Sequence, residues 1–295
     1  MGTLVAKKYP TKLFLKAADH TYVECGNGGK GWSCWGGKTG GTAFNSGTGS
    51  TKRADAIAEP NERAGITCYL INGVCHQAAN RILFPAGILV SAARGYSVSS
   101  ALFGPYGKTG FWPCHAPFDQ HAGVSGDLPE CSAAKNPLKS LKSVKKPPVP
   151  ASRKNEDKYS RLVMRSYAKF EPLSASVLDH MKFQADVFDH QIKFCLGEDL
   201  GDKAKALRMA KETADMDHQY LANAFRRKEM SPAQFIKAFN KMTIRFQNDV
   251  ATAVNKVQYK KLLGVDRDES IVLADPEIIA SLYGEATVKA VYGDL

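Results

Sequence analysis

Two side chains in this sequence have types and surroundings suited to nucleophilic chemistry. Cys75 follows an apolar run that ends at an Asn72-Gly73 turn, and it opens a helix-like stretch over 75–83. A thiol at a helix N-terminus feels the positive end of the macrodipole and unpaired backbone N–H groups, both of which favour the thiolate. His20 lies upstream in Asp19-His20-Thr21-Tyr22-Val23-Glu24-Cys25, which reads as a strand. A thiol and an imidazole supplied from separate places in a fold are the minimum for attack on an acyl carbon. The competing reading is a buried structural cysteine and an unrelated surface histidine.

Other residues invite chemistry but are less well suited to it than these two. His76 points about 100° away from its helix neighbour Cys75, so it is poorly placed to serve the same thiol. His115 and His121 would put the base after the cysteine, but Pro and Gly around them read as loop. Gly36-Gly37-Lys38-Thr39 resembles a phosphate loop only in part, because Trp32 stands where the first glycine is needed and no helix is evident after it. The alternative is a flexible, substrate-covering loop, with Trp32 and Trp35 either lining an apolar subsite or packing within the hairpin. Asp179-His180, Asp189-His190 and Asp217-His218 lack the inward Glu and Glu-x-x-His spacing of a di-iron bundle, and His218 falls on an apolar stripe as a core histidine would. Seven cysteines without any C-x-x-C pair support neither a zinc ribbon nor a thioredoxin-like site. No metal and no cofactor is expected.

The elements that must position Cys75 and His20 fall before a change in composition. Residues 135–158 are rich in Lys, Ser and Pro and carry 8 basic and 2 acidic side chains. They hold over half of the net charge of +11, so the excess reads as a solvated, trypsin-sensitive linker and not as a nucleic-acid face. Residues 1–134 are glycine-dense, with hairpin turns and a long loop over 26–49. Residues 159–295 turn helical: a short helix near 159–170, then 174–196 capped by Ser174, then 203–227. One long helix from Ser231-Pro232 to Gly264 follows, and a last short one starts at Asp275-Pro276. The expectation is an α+β chain: a domain over 1–134 with a small antiparallel sheet and the Cys75 helix, a linker, and an all-α bundle over 159–295 whose stripes bury against one another. No apolar run approaches the ~18 residues of a membrane helix or the length of a signal segment, so a cytoplasmic location is expected.

The stretch His20-Thr21-Tyr22-Val23-Glu24-Cys25-Gly26-Asn27-Gly28-Gly29-Lys30 resembles the strand and turn that carry the histidine of NlpC/P60-type papain-like hydrolases. Here the histidine strand precedes the cysteine helix. With Asn72-Gly73-Val74-Cys75-His76, the chain therefore resembles the circularly permuted, lecithin:retinol acyltransferase-like branch. The resemblance covers about residues 20–85. It implies a papain-like catalytic domain, Cys75 as nucleophile, His20 as base, and backbone N–H groups of Cys75 or His76 as oxyanion donors. The family's third polar residue would fall near Trp32 or Ser33, where no His, Asn or Asp stands. Glu24, Asn72, Asn80 and His76 remain candidates to orient His20 or assist the oxyanion. The function so implied is thiol-dependent amide hydrolysis or acyl transfer on a peptide or small molecule, with the helical part open to a protein partner. The alternative is a non-catalytic assembly protein whose bundle binds that partner.

Overall fold

A computed structural model describes residues 2–11, 17–26, 29–33, 36–51, 54, 69–108 and 177–293. Among them are four strands and eight α-helices, an α+β arrangement. Strands β1 (Gly2–Pro10), β2 (Asp19–Cys25), β3 (Gly31–Trp32) and β4 (Thr42–Gly49) form one antiparallel sheet in the order β3-β2-β1-β4. Leu4 and Ala6 of β1 lie opposite Cys25 and Val23 of β2, and Trp32 of β3 lies opposite Val23. The two-residue period puts these side chains on one face, where Ala79, Ile82 and Leu83 of helix α1 (Cys75–Leu83) join them in a core. Of the two readings of Trp32, substrate lining and hairpin packing, the structure has the packed one, a buried member of that core, while Trp35 lies outside the described residues.

The other helices are α2 (Tyr96–Phe103), α3 (Val177–Leu196), α4 (Asp202–Arg226), α5 (Pro232–Ala253), α6 (Lys256–Leu263), α7 (Pro276–Tyr283) and α8 (Glu285–Tyr292). Ser231 caps α5: its hydroxyl accepts from Gln234 N and Gln234 Oε1 accepts from Ser231 N at 2.8 Å. Behind the cap, Phe235, Phe239, Met242, Phe246 and Val250 form the buried stripe. None of the helices described is long and apolar enough to cross a membrane.

Several expectations need correction. The long helix foreseen from Ser231 to Gly264 is two helices, because Asn255 takes an extended backbone and accepts from Gln258 N at 2.9 Å, starting a second capping box. Residues 42–49, expected as loop, are a strand paired to β1, and Gly47 lets Ala86 and Ile88 pack against it. The helical stripes do not bury only against one another. One hydrophobic cluster joins Tyr69, Leu70, Ile71, Leu102 and Phe103 to Phe188, Phe239, Phe246, Ile271 and Ile279. The linker 135–158, the helix near 159–170, His115 and His121 lie outside the described residues.

Candidate active site

His20 is wholly buried in β2. Tyr9 is its partner across the β1–β2 ladder, and the two rings lie 4.8 Å apart, tilted by 33°. Nε2 donates to the carbonyl of Gly37 at 3.0 Å, which fixes the ring and leaves Nδ1 as the exchangeable nitrogen. The Gly37 N–H is held in turn by the Tyr9 hydroxyl at 3.2 Å. The loop passes so close that a Cβ on Gly36 would sit 2.7 Å from His20 Cε1, at a φ of +74° that favours glycine. Gly36-Gly37 therefore clamps the histidine, and the residue type allows the approach.

Cys75 opens α1, 6% exposed, after Val74 at the N-cap. The Cys75 and His76 amides begin the helix, where intrahelical acceptors are lacking. Asp19 joins this helix start to β2. Its carbonyl accepts from His76 Nε2 at 2.9 Å and lies 3.8 Å from Cys75 Sγ, and its carboxylate accepts from Arg94 N at 3.0 Å. The turn before α1 is strained. Leu70 has φ +64°, a left-handed backbone that costs a non-glycine residue about 1–2 kcal/mol and needs outside support.

A third group comes from the far end of the chain. Asp275 caps α7, its Oδ1 accepting from Glu277 N at 2.9 Å. Oδ2 stands 3.6 Å from His20 Nδ1, an ion-pair contact just short of a formed hydrogen bond. Contacts of this kind are often long in unliganded sites and tighten with substrate. Asp275 is brought here by a short parallel bridge between Ala17 and Val272, and by Tyr69, whose hydroxyl accepts from Asp275 N at 2.8 Å and donates to Leu273 O at 3.1 Å. Burial alone would push the His20 imidazole down, but Asp275 and Cys75 facing it raise it to about 10. The ring is thus held charged beside a thiol. Thr11, Ala17, Ala18, Val74, Cys75 and Asp275 are among the residues lining a small cleft at this point.

The remaining candidates are placed differently. Glu24 pairs with Lys7 and sits four residues along β2 from His20. Asn72 donates from Nδ2 to the Lys108 carbonyl at 3.2 Å. Asn80 donates to Pro105 O at 2.7 Å and accepts from Val90 N at 2.8 Å, bracing α1. His76 is buried between Ser99 Oγ at 2.8 Å and the Asp19 carbonyl, and burial pushes it down to about 4, so it is a neutral structural ring. The position beside His20 belongs to Asp275 and to the Gly37 carbonyl. Asp275-Pro276 was legible as a helix start, but nothing in the sequence linked it to His20. Among the described residues, no group of His, Cys, Asp and Glu could hold a metal ion, and Cys25, Cys75 and Cys195 are free thiols. Comparison of the chain with protein-family models, with curated proteins and with solved structures finds no match.

Proposed function

We propose that this protein is a thiol-dependent acyl hydrolase or acyltransferase with a papain-like, permuted catalytic unit. The observation that carries the reading is the convergence of Cys75, His20 and Asp275, from three distant elements, around one buried imidazole. Cys75 attacks as the thiolate held beside the protonated His20 ring, and its sulfur forms a bond to the acyl carbon of an amide or ester as the C=O π electrons move onto oxygen. The oxyanion is held by the backbone N–H groups of Cys75 and His76. On collapse, the C–N or C–O bond breaks, and His20 Nδ1–H protonates the leaving group. Water, or an acceptor amine, then attacks the thioester and gives its proton to Nδ1. Asp275 stabilises the imidazolium before acylation and again once the incoming water or amine has given up its proton. Free thiols at Cys25, Cys75 and Cys195 suit a reducing compartment such as the cytoplasm.

The reading is tested by alkylation with iodoacetamide near pH 6 and mapping of the modified thiols by mass spectrometry. Cys75 is expected to react well before the other six cysteines. Cys195 is expected to be slow, since burial pushes its thiol up to about 11. Equal labelling of several cysteines, or a silent Cys75, would remove the basis for an enzyme and leave the assembly-protein alternative.

A further inference from the structure

Behind the turn that launches α1 lies a buried set of charged and polar groups that the acyl chemistry does not use. Lys108 Nζ is 3.0 Å from Asp215 Oδ1 and 2.9 Å from His218 Nδ1, and Lys211 Nζ is 2.6 Å from the same carboxylate oxygen. All four side chains are buried. His218 Nε2 lies 2.8 Å from the carbonyl of Leu70, the strained residue of the turn. Lys108 is also bonded to the turn through its backbone: its N–H donates to Asn72 O at 2.7 Å.

The direction of this chain of bonds follows from the donor inventory. An ammonium can only donate, so His218 Nδ1 accepts from Lys108, and Nε2 carries the proton given to Leu70. Two lysines against one aspartate already leave a surplus positive charge, which together with burial holds His218 well below its ordinary value and neutral. Buried ion pairs are a weak source of stability, and apolar residues of similar volume often do as well or better. A buried set of this kind, bonded at its far end to the carbonyl of a strained residue, fixes geometry more than it adds stability.

We infer that Lys108 and His218 form a positioning relay for the nucleophile, holding residues 69–73 in the turn from which α1 starts and so fixing Cys75 against His20. The inference rests on the reading of Cys75 as the nucleophile. His218→Phe tests it, because Phe103 and Phe239 already pack around this ring at 5.4 and 5.7 Å and an aromatic side chain fits, while the donor to Leu70 is lost. At a temperature where circular dichroism shows it folded, the variant is expected to alkylate Cys75 at least about tenfold more slowly. The amide resonances of residues 69–77 are expected to shift. His218→Gln, whose amide nitrogen reaches the Leu70 carbonyl, should restore the rate to within about threefold. Wild-type rates in His218→Phe, with or without shifted amides, overturn the relay, as does failure of the Gln variant to rescue. Should His218→Phe not fold, Lys108→Met replaces it, since His218 remains but loses the partner that fixes its tautomer; an unchanged rate there overturns the relay. If Cys75 is unreactive in the wild-type protein, the enzyme reading fails separately. The amide shifts alone then decide whether the relay holds the turn.

Discussion

Replacement of His20 by alanine is expected to reduce acyl transfer by a factor of about 10² to 10⁴, the usual contribution of a positioned general base. The folded chain should persist by circular dichroism, because His20 belongs to neither hydrophobic core cluster. His115→Ala and His121→Ala should leave the rate near wild type. The pH dependence follows from the same pair. The folded imidazole, raised to about 10, binds its proton more tightly than in the unfolded chain, where it titrates near about 6.5. Its stabilising contribution is therefore complete below about 6.5 and is lost as pH rises toward about 10. Asp275→Asn removes the facing carboxylate, so the upper limb of the rate profile should move to lower pH. An unmoved upper limb would take Asp275 out of the site.

The second large effect concerns the join between the sheet and the helices. Expressed alone, residues 159–295 are expected to lose most of their helical dichroism, and residues 1–134 alone should not fold. Tyr69, Leu70, Leu102 and Phe103 are buried in the cluster formed with α3, α5 and α7. Each such side chain stabilises by about 1.5–3 kcal/mol when buried, against a total stability of only about 5–15 kcal/mol. Mixed together, the two pieces should regain helicity and co-elute on size exclusion. A 159–295 piece that keeps its helices alone would show two self-sufficient units and contradict the shared core.

The parts of the fold that were legible are those governed by local rules. Ser231-Pro232 and Asp275-Pro276 start helices where cap chemistry says they should, and Cys75 opens one. The break at Asn255 was hidden by an apolar stripe that continues through Val254 and Val257, so period outweighed the cap. Strand β4 carries Thr, Asn, Ser and Gly, and its strand state comes from pairing with β1 and not from its own residues. In the candidate site, Cys75 and His20 could be proposed from their types. The groups that hold His20 could not. One is a backbone carbonyl, which has no side-chain signature, and the other is Asp275, near the opposite end of the chain. The same holds for His218, whose place on an apolar stripe gave no hint of its bond to Leu70.

The acyl-enzyme itself is the most direct test. The protein would be mixed with a small activated ester such as p-nitrophenyl acetate, quenched in acid, and its intact mass and peptides read by mass spectrometry. The expected result is one acyl group, on Cys75, that decays in water and is absent from Cys75→Ser. No adduct, an adduct on another cysteine, or an equal adduct on the denatured chain would contradict the proposed chemistry.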